Sequence, residues 1–137
     1  MSCKIRSFSS EFYPDLLDLW EQLGLGGAER GDNLEVIKNT LQNGGELFVL
    51  FLDDLMIGSA WITNDSRRLC LHHFGIRKEF QNQGFGFFLT KHCINWCKTK
   101  KLQLKLEVNR ENKSAINLYK KAGFKYLGDY DIYIIRN

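Results

Sequence analysis

The sequence predicts a single α/β domain with the element order β-α-α-β-β-β-α-β-α-β-β, and three observations predict it. The chain has 137 residues, the size of one ordinary domain. Its apolar residues switch repeatedly between a spacing of two and a spacing of three to four, the signatures of strands and amphipathic helices in alternation. Hydrophobic residues make up 44% and charged residues 26%, which supplies a core and excludes an intrinsically disordered chain.

Residues 3–8 read as a short first strand. Pro14 suits the first turn of a helix that carries Leu16, Leu17, Leu19, Trp20 and Leu23 inward and ends at Gly24. Residues 24–32, with four glycines, form a connection; Leu34, Ile37 and Leu41 then trace a second helix, closed by Asn43, Gly44 and Gly45. Residues 47–52 form a wholly apolar strand, Asp53 and Asp54 a turn, and residues 56–63 the hairpin partner. A polar turn at 64–68 leads to a strand over 69–76, in which Gly75 predicts a bulge or the close approach of another molecule's backbone.

From Gly84 to Lys100, Phe85, Leu89, Cys93, Trp96 and Cys97 fall on one stripe of a long helix. Residues 102–108 alternate strictly, with Gln103, Lys105 and Glu107 on the polar side of a strand. Asn112 is a good N-cap for a helix from Lys113 to Ala122 bearing Ala115, Ile116, Tyr119 and Ala122 on one face, and Gly123 ends it. Two last strands are expected over 124–127 and 130–135, around a Gly128-Asp129 turn.

Composition narrows the function classes. The longest apolar run, residues 47–52, is far short of the roughly 18 residues of a membrane span. Lys4 and Arg6 are followed by no apolar segment of the secretory kind, so a cytoplasmic, reducing location is expected and no membrane partner. Four cysteines contain no Cys-x-x-Cys pair; Cys93 and Cys97 lie on the inner helical stripe, where packing explains them and no metal is expected. Nineteen basic against sixteen acidic residues give +3, which suits an anionic small ligand better than nucleic acid. Lys98, Lys100, Lys101 and Lys105 near Trp96 read as a solvated face.

The chemistry concentrates in Gln81-Asn82-Gln83-Gly84-Phe85-Gly86 between a strand and a helix. Glycines let backbone approach an anion, and a helix start offers unpaired amides with partial positive charge, so a phosphate fits there; a plain tight turn is the alternative. A P-loop is excluded because no Gly-Lys-Ser/Thr is present. A dinucleotide fingerprint would pair Gly84-Phe85-Gly86 with Glu107, 23 residues beyond Gly84. Leu89 in place of the third glycine, the residues between strand and glycines, and the short remaining chain argue against it.

Ile76-Arg-Lys-Glu-Phe-Gln-Asn-Gln-Gly-Phe-Gly86 resembles motif A of the GNAT acetyltransferase superfamily, whose signature is Gln/Arg-x-x-Gly-x-Gly/Ala. Leu106-Glu-Val-Asn-Arg-Glu-Asn112 followed by Ala115-Ile-Asn-Leu-Tyr-Lys-Lys-Ala-Gly-Phe124 is similar to its motif B. The resemblance implies a GNAT-like fold, a mixed and strongly bent sheet with helices on both faces. It also implies acetyl-CoA as the donor and a primary amine, small molecule or peptide N-terminus, as the acceptor. In such a protein the backbone of Phe74 and Ile76, on a bulged strand, pairs with the pantetheine arm. Amides of Gln81, Asn82, Gln83, Gly84, Phe85, Gly86 and Phe87 hold the pyrophosphate, and Asn112 contacts the arm near the thioester. The strands containing residues 69–76 and 102–108 splay apart to admit the donor.

A neutral amine is needed, yet alkyl amines have a pKa of about 10, so a proton acceptor is required. The resemblance points to Glu107, acting through water; a solvent-facing strand residue is the alternative. His72 and His73 are adjacent on the donor strand, and alternation sends one of them toward the cleft, as base, substrate contact or packed side chain. Tyr119, twelve residues beyond Glu107, matches the family's acid for the departing thiolate, with a buried structural tyrosine as the alternative. The acceptor is expected to face residues 23–33 and 127–131, where Asp32, Glu35, Asp129 and Asp131 could attract a cation. Trp20 and Trp61 read as core. The reaction expected is direct transfer in a ternary complex; the rival from another class is an acyl-CoA-binding sensor or docking module without turnover. Either a monomer or a homodimer is compatible with the sequence.

Overall fold

A computed structural model describes residues 2–26 and 31–136. Five strands, β1 (Cys3–Ser7), β2 (Glu46–Leu52), β3 (Leu55–Asn64), β4 (Leu69–Ile76) and β5 (Leu104–Leu106), form one open sheet in sequence order. The first four are antiparallel neighbours and β5 joins β4 in parallel. Helices α1 (Tyr13–Leu23), α2 (Leu34–Gln42), α3 (Phe85–Lys100) and α4 (Lys113–Ala122) cover it. The mixed sheet with helices on both faces is the predicted class.

β2 shows why its sequence is apolar without alternation. Leu47, Val49 and Phe51 pack with Leu16, Leu19, Trp20 and Ile37 of α1 and α2. Phe48, Leu50 and Leu52 belong to a second core with Leu89, Cys93, Cys97 and Tyr119 of α3 and α4. A strand covered on both faces needs apolar residues at every position. Burial also explains the two helical cysteines: it raises both thiols, Cys97 to about 11, so neither is a nucleophile at neutral pH.

The helix ends were legible. Pro14 sits in the first turn of α1, Gly24 closes it in the left-handed conformation, and Gly123 does the same for α4. The Asn112 side chain accepts from the Ala115 amide at 3.2 Å as the N-cap of α4.

The bulge lies in β4 but one step from the expected place. Ser59 pairs with Gly75 and Trp61 with His72, so β4 carries one extra residue, and His73 adopts a positive φ of 43°. A Cβ at Gly75 would lie 2.6 Å from Leu23 Cδ1 of α1, so the end of that leucine would have to shift to admit a side chain there. The bulge is held from the core. Trp20 Nε1 donates to Ser59 Oγ at 3.0 Å, and Ser59 Oγ donates to the His73 carbonyl at 2.7 Å. Ser59 is fully buried, so Ser59→Ala strands two polar partners and is expected to cost roughly 1–3 kcal/mol in urea denaturation. An unchanged midpoint would show that this chain does not hold the bulge.

Two expectations for strands are corrected. β5 covers three residues of the predicted seven, and residues 124–136 form neither the expected strands over 124–127 and 130–135 nor a helix. Alternation specifies a face for a strand, but a strand also needs a partner edge, and the outer edge of β5 takes none from the described residues of this chain.

Candidate active site

The sheet opens where β4 and β5 part. They pair only at Leu69–Leu104, Cys70–Lys105 and Leu71–Leu106, whereas β3 follows β4 to Ile76. Among the described residues the β4 edge from His72 to Ile76 therefore has no strand partner on that side. The Arg77 amide donates to the Ile57 carbonyl on the β3 side at 2.7 Å. Alternation along the strand then turns the amides of Ile76 and Phe74 toward the vacated edge. The Ile76 carbonyl, on that same edge, accepts from Gln81 Nε2 at 2.8 Å.

The chain next makes a 3₁₀ turn at Lys78–Phe80 and enters α3 through Asn82 and Gly84, both left-handed, with φ of 63° and 91°. The first helical bond runs from the Phe88 amide to the Gly84 carbonyl at 3.0 Å, and among the described residues no side chain caps the helix. The amides of Phe85, Gly86 and Phe87 are thus without intrahelical partners and carry the positive end of the helix dipole. The glutamines brace the turn from its other side. Gln81 Nε2 takes the Ile76 carbonyl, Gln83 Nε2 takes the Glu79 carbonyl at 3.1 Å, and the Gln81 amide is engaged by Lys78. These bonds occupy carbonyls and the Gln81 amide; the amides of Phe85 to Phe87 stay uncapped. At Gly84 no described residue lies within 4 Å of the point a Cβ would occupy, while Gly86 is a packing glycine, 3.1 Å from Leu118 Cδ2 by the same measure.

Around this edge the side chains fall on two faces. On the α3/α4 face Phe74 packs against Tyr119, ring centroids 5.8 Å apart, and Tyr119 packs on Phe124 at 5.6 Å. Tyr119 is buried, and burial, with Cys93 nearby, pushes its hydroxyl up to about 12. Asn112 is exposed at the start of α4, its Oδ1 engaged by the cap.

On the α1/α2 face the bulge changes the expected alternation: both histidines lie there, not one. His72 sits across from Trp61 with its Nε2 2.9 Å from Thr63 Oγ1. His73 lies edge-on to Trp20 and Trp61 at 4.6 and 5.2 Å, and its Nε2 is 2.9 Å from Asp32 Oδ2. A bulge puts two successive residues opposite one, which is how both rings reach one face. Burial, reinforced by His73, lowers the His72 pKa, while Glu107 and Asp32 pull it the other way. Glu107, just beyond β5, is exposed and within electrostatic reach of His72 and Cys70. Trp20 and Trp61 are stacked core side chains, 5.5 Å apart.

The structure therefore brings Phe74, Ile76, the 81–87 turn and Tyr119 to one parted edge, with Glu107, His72, His73 and Asp32 on the opposite face of the sheet. Residues 27–30 of the expected acceptor-facing connection lie outside the described residues. Asp129 and Asp131 are exposed on the segment without regular structure. Three contributors carried no sequence signal. Arg77 is buried at the end of β4, where Nε donates to the Met56 carbonyl at 2.7 Å and Nη2 pairs with Asp18 at 3.0 Å. Ser59 holds the bulge across the sheet. Lys121 places its ammonium 4.9 Å over the Phe87 ring, beside the uncapped helix start.

Residues 7–124 match the family model described as acetyltransferase (GNAT) family. Among solved structures, an aminoglycoside N-acetyltransferase, AAC(6')-Iy, in complex with a CoA bisubstrate analogue matches with a TM-score of 0.82 and 18% identity over 100% of both chains. A GNAT-family acetyltransferase from Staphylococcus aureus Mu50 matches with a TM-score of 0.82 and 17% identity, over 99% of this chain and 95% of that one. The ribosomal-protein-S18-alanine N-acetyltransferase from Escherichia coli matches with a TM-score of 0.77 and 21% identity, over 90% and 78%. At such identities the likeness is one of fold. A search of curated proteins finds no match.

Proposed function

Since the chain belongs to the GNAT acetyltransferase family, we propose that it transfers an acetyl group from acetyl-CoA to a primary amine by direct attack in a ternary complex. The observation that carries this reading is the β4 edge vacated by β5, running straight into the uncapped amides of Phe85, Gly86 and Phe87. An extended amide-bearing arm adds to such an edge as a strand would, and a diphosphate at its far end meets a helix start that favours anions. CoA has both parts in that order. The amides of Phe74 and Ile76 hold the arm, the amides of the 82–87 turn hold the diphosphate, and Asn112 Nδ2 remains available to the arm once Oδ1 has capped α4.

In the reaction the amine nitrogen bonds to the thioester carbon, the carbon–sulfur bond breaks, and the amine loses a proton. Glu107 accepts that proton through water. His72, kept neutral at pH 7 by its lowered pKa, is the second acceptor on the same face. Tyr119 serves the sulfur. With its pKa near 12 it stays protonated through the range near pH 10 in which an alkyl amine loses its proton, but it is a weaker acid than an alkyl thiol of about 8.5. Its hydroxyl therefore stabilises the departing sulfur as a hydrogen-bond donor, and the proton shed by the amine restores the thiol. The family's solved members act on unrelated amines, an aminoglycoside enzyme and a ribosomal-protein alanine enzyme among them. The acceptor class here rests on the charge and shape of the Asp32 side of the sheet.

Acetyl-CoA consumption against a panel of amines tests the activity: thiol release with at least one amine is expected. Saturable CoA binding without thiol release for any amine would favour an acyl-CoA sensor. Glu107→Gln is expected to lower kcat roughly a hundredfold with CoA affinity unchanged, and His72→Gln to change it less. The reverse order would move the proton acceptor to His72.

A further inference from the structure

The ladder between β3 and β4 ends at the pair Gly58–Ile76, and beyond it the chain leaves the sheet, makes a 3₁₀ turn and starts α3. The Ile76 amide lies on one side of this exit and the amides at the start of α3 on the other. Arg77 stands at the exit itself.

Arg77 is buried, its side chain 9% exposed, and it is bonded through main chain and side chain alike. Its amide donates to the Ile57 carbonyl at 2.7 Å, and its carbonyl accepts from the Phe80 amide at 2.9 Å. Nε donates to the Met56 carbonyl at 2.7 Å and Nη2 to Asp18 Oδ2 at 3.0 Å. One residue thus takes two successive carbonyls of β3, reaches α1 with the tip of its fork, and closes the 3₁₀ turn with its own carbonyl. The turn is tied to α1 a second time, since Gln22 Nε2 donates to Glu79 Oε1 at 3.3 Å.

Filling this space does not call for an arginine. Desolvating a guanidinium is costly, and an apolar side chain of similar volume is often equally stable in place of a buried ion pair. Asp18 is 70% exposed, so water screens the attraction between the two charges. What an arginine adds is direction: its planar fork holds two acceptors at a fixed angle, which an ammonium cannot do. A fork fixed on β3 and α1 sets the orientation of the peptide that joins Ile76 to Arg77, and of the turn that follows.

We infer that Arg77 is a positioning residue of the donor site. Acting through its neighbours, it fixes the exit of β4 so that the Ile76 amide faces the pantetheine arm and the amides of Phe85, Gly86 and Phe87 converge on the diphosphate. The inference rests on the CoA site proposed above and is independent of which amine is acetylated.

Calorimetric titration with CoA, run beside urea denaturation of each variant, tests it. Arg77→Met fills similar space without the fork and is expected to weaken CoA binding at least about tenfold, the loss of one well-aimed charge-assisted hydrogen bond. Arg77→Lys keeps the positive charge but offers an ammonium in place of the fork, and is expected to weaken binding at least about threefold. With an amine that releases thiol, the KM for acetyl-CoA is expected to rise by the same factors while kcat stays within about twofold, as for a group that serves donor binding and not the chemical step. A merely structural arginine would lower the urea midpoint and leave the CoA affinity of the folded variants untouched. That result would overturn the role, and so would wild-type affinity in Arg77→Lys, because charge alone would then suffice. The lysine variant carries the test by itself where the methionine variant does not fold. A wild-type chain that binds no CoA would remove the donor site and this role together, whereas wild-type binding matched by both variants removes the role alone.

Discussion

Replacing Gly84 by Val is expected to weaken CoA binding at least about tenfold, a loss of about 1.4 kcal/mol, while the protein stays folded. Gly84 holds φ at 91° and ψ at −5°, a left-handed conformation that a β-branched residue adopts only at a cost of about 1–3 kcal/mol. No described residue lies within 4 Å of the position its Cβ would take, so no clash with them adds to that cost. The chain relieves the strain by rotating the peptide at the helix start, and that rotation re-aims the amides of Phe85, Gly86 and Phe87. A domain stable by roughly 5–15 kcal/mol tolerates the strain; an anion site that depends on amide direction does not. Gly84→Asn separates the two causes, because asparagine enters the left-handed region readily, as Asn82 does two residues earlier. It is expected to retain most of the affinity. Calorimetry giving equal CoA affinity for the Val variant would remove the 82–87 turn from the donor site.

Tyr119→Phe is expected to lower kcat about a hundredfold and to leave CoA affinity within about twofold. Phenylalanine keeps the ring against Phe74 and Phe124 and removes only the hydroxyl, so a structural role predicts little change and a role at the sulfur predicts loss of turnover. Stability supplies an independent readout. Burial holds the folded-state pKa near 12 against about 10 in an unfolded chain, so the folded state keeps a proton that the unfolded state has released. The wild type should therefore lose stability as pH rises from about 10 toward 12, and the Phe variant should lose less over that window. Equal turnover in the two proteins would leave Tyr119 as packing for Phe74.

The helices were the most legible part of the fold because their limits are local chemistry: Pro14 and Gly24 around α1, Asn112 and Gly123 around α4. The apolar run of β2 foretold a strand covered on both sides. What escaped depends on contacts between distant segments. His73 takes the positive φ of the bulge although Gly75 is the residue suited to it, and the His73 carbonyl is held there by Ser59, fourteen residues away on the neighbouring strand. Once the bulge is displaced, alternation fails and both histidines reach one face. The turn into α3 was readable because the glycine positions betray it: Gly84 takes the left-handed conformation from which the helix starts. The pairing of Asp32 with His73 was not, since it joins residues 41 apart through a fold that neither of them specifies. Residues 130–135 had the right pattern for a strand, but pattern names no neighbour.

Trp20 has a consequence beyond the core it fills. Its indole N–H is the first link in a relay that ends on the His73 carbonyl, and its ring touches both Trp61 and the His73 imidazole. The emission of this stacked pair is consequently wired to the backbone at the mouth of the parted strands. A shift of that backbone is expected to change the emission of Trp20 and Trp61, so a fluorescence titration reads entry into the opening without a dye or a label.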